Sequence, residues 1–157
     1  MKIQKKNSNY SNAELMAQLT CELARTCSSK ENFFAAKYDL TPAEFRCLRL
    51  FKQSPTIPIK QIAIQMNLTP GRITHILTSL EAKKYIERKV DQKDKRNVIV
   101  HLTESSKPFL KIVNDNHIKL HEDILAKLPE DKREFILDSM QDMIKALKTW
   151  TDNSKRR

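Results

Sequence analysis

Ile59-Lys60-Gln61-Ile62-Ala63-Ile64-Gln65-Met66-Asn67-Leu68-Thr69-Pro70-Gly71-Arg72-Ile73-Thr74-His75-Ile76-Leu77-Thr78-Ser79-Leu80 decides how this chain folds. Ile59, Ile62, Ala63 and Met66 recur at i, i+3, i+4 and i+7, which is one face of a short helix. The pattern breaks at Asn67-Leu68, after which Thr69 is placed to cap a second helix and Pro70 fits its first turn, where a missing N–H costs nothing. That helix turns Ile73, Ile76, Leu77 and Leu80 inward and keeps Arg72, Thr74, His75, Thr78 and Ser79 on its other face. Only Arg72 of the outer set is charged, and hydroxyl, imidazole and guanidinium groups are suited to reading base edges.

Downstream, Tyr85 to Val90 and Asn97 to Leu102 alternate as two strands of a hairpin. Ile86 and Val90 share a face with Arg88 between them, and Val98, Val100 and Leu102 share another. The turn between the strands is Val90-Asp91-Gln92-Lys93-Asp94-Lys95-Arg96-Asn97. From Lys83 to Arg96 there are seven basic and three acidic residues, a local excess of four positive charges. Helix, tight turn, helix and basic hairpin, in that order, are the parts of a winged helix that can lie on DNA.

Upstream, Leu15, Met16, Leu19, Leu23, Cys27, Phe33 and Phe34 fall on one helical arc from Ser11 to about Ala36, with Cys27-Ser28-Ser29-Lys30 expected to bend or interrupt it. Thr41-Pro42-Ala43-Glu44 reads as a capping box opening a short helix with Phe45, Cys47, Leu48, Leu50 and Phe51 on most sides, hence buried. The prolines of Ser54-Pro55-Thr56-Ile57-Pro58 stop that helix and allow at most a short extended segment. After the hairpin, one helix is expected from Ser105 to about Lys127 with Pro108 in its first turn. A second follows from Pro129 to about Trp150 with Ile136, Met140, Met143, Ile144, Leu147 and Trp150 as its stripe, ahead of a frayed Lys155-Arg156-Arg157.

Composition narrows the function. A chain of 157 residues, 39% hydrophobic, can bury the core of one ordinary domain, and a single Gly with no linker or repeat argues for helix and against a second independent domain. No apolar run approaches the roughly 20 residues of a membrane span. Met1-Lys2-Ile3-Gln4-Lys5-Lys6 lacks the apolar segment of a secretion signal, so a cytoplasmic location is expected. A net charge of +10 favours a polyanionic partner without naming it. Cys21, Cys27 and Cys47 have no metal-knuckle spacing and are packing residues or sensors. With no Gly-rich phosphate loop, nucleophile elbow or acidic cluster at metal spacing, neither an enzyme nor a bound cofactor or metal is expected.

Over nearly its whole length the chain resembles the MarR family of winged-helix transcription regulators. The resemblance is carried by Leu40-Thr41-Pro42-Ala43-Glu44-Phe45, by Ile62-Ala63 through Ser79-Leu80-Glu81, and by Ile86-Glu87-Arg88, Asp94-Lys95-Arg96 and Leu102-Thr103-Glu104. Lys84 stands where the family often has Gly before the first wing strand, and Ser106 where Gly often follows Leu-Thr-Glu; both concern turn flexibility. The resemblance implies a mainly α fold with a small β-hairpin wing. In it, residues 37–103 form the winged helix-turn-helix, and residues 1–36 and 104–157 form dimerisation helices of one compact protomer. It further implies a homodimer, typically a repressor, that binds a palindromic operator and responds to a small ligand or an oxidant.

On double-stranded DNA, the helix from Pro70 to Lys83 is expected in the major groove, with Arg72, Thr74 and His75 nearest the bases and Thr69 near phosphate. Arg96 would enter the minor groove, held by Asp94 in a bidentate pair, while Arg88, Lys89, Lys93 and Lys95 complete the basic wing and its lysines meet phosphates. Two features are candidate sensors. His117 and His121, one turn apart on the arc of Leu110, Val113, Leu120, Ile124 and Leu128, pack, rim an organic-ligand pocket or ligate a metal. Cys21 lies off the apolar arc and Cys27 on it, which makes Cys21 the more accessible thiol for an oxidant. A redox- or metal-responsive regulator, or a winged helix serving protein or RNA contacts, are the alternatives.

Overall fold

The computed structural model describes residues 11–92 and 94–154. The helix α1 (Asn12–Ala36) opens on a capping box: the Ser11 hydroxyl accepts the Glu14 N–H at 3.3 Å, and the Glu14 carboxylate accepts the Ser11 N–H at 2.7 Å. It runs unbroken through Cys27-Ser28-Ser29-Lys30, where a bend was expected; serine's small propensity penalty does not stop a helix of 25 residues. Next come α2 (Pro42–Leu50), β1 (Thr56–Pro58), α3 (Ile59–Met66) and α4 (Pro70–Ala82), then β2 (Ile86–Val90) and β3 (Val98–Leu102). A 3-10 turn leads into α5 (Lys107–Ala126), which holds Pro108 in its first turn, and a second such turn leads into α6 (Arg133–Ser154). Residues 1–10 and the tail Lys155-Arg156-Arg157 lie outside the described residues, as does Lys93.

The chain divides into two compact units, one running to Leu110 and the other beginning at Lys111. In the first, Phe45, Leu48, Ile62, Ile73, Leu77 and Leu80 are at most 1% exposed, so α2, α3 and α4 meet in one core. The Phe34 ring at the end of α1 packs edge-on against Phe45 at 5.4 Å, and Tyr85 stacks on Phe109 at 4.8 Å, tying the hairpin's root to the first turns of α5. The sheet is antiparallel in the order β1-β3-β2, with Ile57 and Arg88 both opposite Val100. The proline-flanked segment is thus a third strand, at an edge where proline's missing donor is tolerated. Val90 shares the face of buried Ile86 yet is 58% exposed, because the hairpin extends beyond the core that covers its root. In the second unit only Val113 and Asn114 of the described residues are buried, and none of α6 is.

Three chain reversals share one device. Asp39, Asn67 and Lys84 take left-handed backbone conformations (φ 53°, 51° and 61°). After each, the next residue donates its N–H five residues back: Leu40 to Ala35 at 3.1 Å, Leu68 to Ala63 at 3.2 Å and Tyr85 to Leu80 at 3.0 Å. The one glycine, Gly71, serves none of them.

Candidate nucleic-acid interface

Thr69 occupies the N-cap of α4 as expected, but its side chain makes no capping hydrogen bond. The first intrahelical bond, from Ile73 N–H to Thr69 carbonyl, is 3.1 Å, so the N–H groups of Gly71 and Arg72 precede it at the helix start. Ile73, Ile76, Leu77 and Leu80 are buried, whereas Arg72, Thr74, His75 and Thr78 are exposed. The Thr74 hydroxyl donates to the Pro70 carbonyl at 3.0 Å, which fixes its rotamer and leaves its lone pairs outward. Arg72 and His75 line the same groove of about 520 Å³, shared with Thr41 and Arg46 of the preceding helix region.

What fixes α4 against α2 is Glu44, 3% exposed. Its carboxylate completes the capping box by accepting the Thr41 N–H at 2.9 Å, and it also accepts the Ser79 hydroxyl and, at 3.0 Å, the Lys83 ammonium. Lys83 donates as well to the Asp39 carbonyl at 2.6 Å. Burial pushes the Glu44 carboxyl up, but the Ser79 hydroxyl, the Thr41 N–H and Lys83 together outweigh it and hold the group below the usual carboxylate range. Ser79, read from sequence as groove-facing, therefore turns inward, and Lys83 spends its charge internally. The local signal was the capping box; partners 35 and 39 residues away leave no periodicity.

The wing tip is a closed turn, with the Asp91 N–H on the Asn97 carbonyl and the Asn97 N–H on the Asp94 carbonyl, both at 2.9 Å. Asp94 does not make the expected bidentate pair. Its Oδ1 accepts both the backbone N–H and the Nε of Arg96 at 3.1 Å, while Oδ2 accepts the Asn97 amide at 3.0 Å. Two residues apart in a tight turn, the carboxylate staples the backbone with one oxygen and orients the guanidinium with the same one. The Arg96 N–H, then its side chain, hold the Asp94 carboxyl below its ordinary range, with the charge of Lys60 adding to them. Lys60, at the start of α3, is a cation near the tip that the sequence reading passed over. The Arg96 side chain is 89% exposed, its Nε on Asp94.

Of the other basic residues, Lys95 is exposed, Lys89 pairs with Glu87, and Lys93 lies outside the described residues. Arg88 rests on Glu81 of α4.

Among the candidate sensors, Cys21 and Cys27 are both exposed. The contrast expected between them is missing because the apolar arc of α1 is itself bare, with Leu15, Met16, Leu19 and Leu23 each more than 40% exposed. Cys47 is buried, and burial, with the charge of Glu44 adding, pushes its thiol up to about 12. His117 and His121 stand 4.4 Å apart between ring centroids, with the Nδ1 of His121 2.7 Å from the His117 carbonyl. Among the described residues no group of three or more His, Cys, Asp or Glu could hold a metal ion, and no helix is long and apolar enough to cross a membrane.

A helix-turn-helix whose second helix bares a polar face, followed by a hairpin with an exposed arginine on a stapled turn, defines the winged helix-turn-helix class. The MarR family model matches residues 40–98. The HTH-type transcriptional regulator SarZ of Staphylococcus haemolyticus is 30% identical over 118 residues, covering 73% of this chain and 77% of the relative. MhqR of Bacillus subtilis, also an HTH-type transcriptional regulator, is 26% identical over 117 residues, 74% of this chain and 81% of its own. Among solved structures, Streptococcus pneumoniae FabT in complex with DNA superposes with a TM-score of 0.74 at 20% identity, covering 89% of this chain and 99% of that one. The chain belongs to the MarR family: it is a DNA-binding transcriptional regulator and not an enzyme.

Proposed function

We propose that the protein acts as a homodimer on a palindromic operator, with α4 in the major groove and Arg96 in the adjacent minor groove. Arg72, Thr74 and His75 read base edges, the start of α4 with Thr69 approaches phosphate, and Lys89, Lys93 and Lys95 neutralise phosphates. The observation that carries this reading is the pairing of two presented surfaces on one unit, the exposed polar face of α4 and the exposed guanidinium of Arg96. FabT, of the same fold, was solved on DNA. Residues 37–103 constitute the DNA-binding part. The terminal segments, 1–36 and 104–157, supply dimerisation through the bare apolar residues of α1 and those of α6, among them Phe135, Ile144, Leu147 and Trp150. A two-fold dimer presents two identical helices and so asks for two inverted half-sites about one helical turn apart.

The effector in this reading is a small ligand received in the region of α5 that carries His117 and His121, whose rings lie 4.4 Å apart between centroids. A second reading, oxidant sensing, is favoured by the exposure of Cys21 beside Glu22 and Arg25 in a shallow depression; operator affinity unaltered by peroxide removes it.

The test of the interface is titration of Arg96→Ala on an operator duplex recovered by selection. Affinity is expected to fall about tenfold and the slope of log K against log salt to shrink by about 1.8, about 0.9 for each of the two wings of the homodimer. Unchanged affinity with an unchanged slope would sink the wing assignment.

A further inference from the structure

We infer that Glu81 and Arg88 form a positioning pair that fixes the wing to the recognition helix, so that the major-groove and minor-groove elements dock as one body. The inference rests on the DNA-binding reading above and assigns Arg88 away from phosphate. Glu81 lies in the last turn of α4 and Arg88 at the middle of β2, joined through the left-handed reversal at Lys84. The Glu81 carboxylate receives Arg88 twice over. Its Oε1 accepts the backbone N–H at 3.0 Å, and its Oε2 accepts Nε at 3.0 Å together with Nη2. Nη2 also approaches the Thr78 hydroxyl at 3.4 Å, one turn earlier on the exposed face of α4.

Three features make this more than a surface ion pair. First, β2 is an edge of the sheet, so the Arg88 N–H that meets Glu81 is an edge donor that β3 does not use; the carboxylate holds backbone as well as side chain. Second, the contact grips β2 at its middle, between the hairpin's root and the turn that carries Arg96, so a small rotation of β2 is carried outward into that turn. Third, the Arg88 side chain is only 28% exposed, and its fork is filled by a carboxylate of opposite charge, which leaves it poorly placed to neutralise a phosphate. Hydrogen bonding from Arg88 holds the Glu81 carboxyl below the usual range, consistent with an anion engaged by its partner.

The sign of the mutational effect separates this role from the electrostatic one. Glu81→Gln removes a negative charge from a DNA-binding surface, so long-range electrostatics alone would tighten binding. As a positioning pair, it weakens operator affinity about tenfold, and in the Arg96→Ala background it costs less than about twofold, because the contact it positions is already gone. Arg88→Lys conserves charge but not the fork, and weakens binding about fivefold, whereas a phosphate contact would survive it. That variant carries the test whether or not Glu81→Gln stays folded. Affinities are read by fluorescence anisotropy on the selected operator with the full-length protein. Wild-type or tighter binding by Glu81→Gln or Arg88→Lys, or a full additive loss in the Arg96→Ala background, overturns the pair while leaving the interface intact. Wild-type affinity in Arg96→Ala alone overturns the wing reading and the pair with it.

Discussion

Glu44 shows how one side chain serves both folding and function. It closes the capping box of α2 and, through Ser79 and Lys83, sets how α4 lies on the body. A carboxylate this buried is tolerable only with its lone pairs occupied, and here the three donors belong to the elements that must hold the reading helix. Because the folded state depresses its pKa, the stabilisation is complete above the ordinary carboxylate range and is lost as pH falls through the lowered value. Glu44→Gln leaves one acceptor oxygen where Thr41 and Ser79 donate to two different ones, and removes the charge that holds Lys83. It is expected to cost about 1–3 kcal/mol at neutral pH and to flatten the acid limb of stability. Urea unfolding at several pH values measures both, and an acid limb as steep as the wild type's would contradict the assignment. Residues acting on near neighbours were legible: Thr41 with Glu44, and Asp94 with Arg96. How Asp94 divides its oxygens was not, because that depends on the closed turn and on Asn97.

At the scale of elements, the reversal between α4 and β2 is where this chain departs from its family. Lys84 holds a left-handed conformation that glycine takes without strain, and Ser106 stands where glycine is also common. The two departures meet in space. The Lys84 carbonyl accepts the Thr103 hydroxyl at 2.9 Å and the Ser106 hydroxyl at 3.3 Å, so hydrogen bonds from the far end of the hairpin hold the strained residue in place. Lys84→Gly relieves a left-handed L-residue and is expected to raise stability by about 0.5–1 kcal/mol, net of the freedom glycine adds to the unfolded chain. A lower urea midpoint for this variant would show that the lysine is not strained. The helices themselves were readable from their stripes and caps. The strand β1 was only half readable, since three residues that follow one proline and end on another carry no alternation and become a strand by finding β3.

For the whole molecule, the bare faces of α1 and α6 are the dominant unsolved surface. Leu15, Met16, Leu19 and Leu23 on one helix, and Phe135, Ile144, Leu147 and Trp150 on the other, are far more apolar exposure than a lone protomer ordinarily keeps. Burial in the proposed dimer would remove it from water at roughly 25 cal/mol per Å². Leu19→Glu combined with Leu23→Glu is expected to convert a dimer into a monomer by sedimentation velocity and to weaken operator binding by at least about a hundredfold, as one half-site is lost. A wild-type protein that sediments as a monomer at micromolar concentration would refute the dimer.

The sequence by itself determined the element order, the buried face of α4, the polar face it bares, the capping boxes and the basic hairpin. All of these follow from contacts three or four residues apart, or two along a strand, and periodicity records them. Only the tertiary structure decided which charges are spent inside. Lys83 and Ser79 go to Glu44, Arg88 goes to Glu81, and Arg96 is left exposed. Those pairings join residues on different elements, and no spacing rule encodes them, because the packing of apolar faces brings them together first and the polar groups then settle on whichever partner that packing leaves in reach.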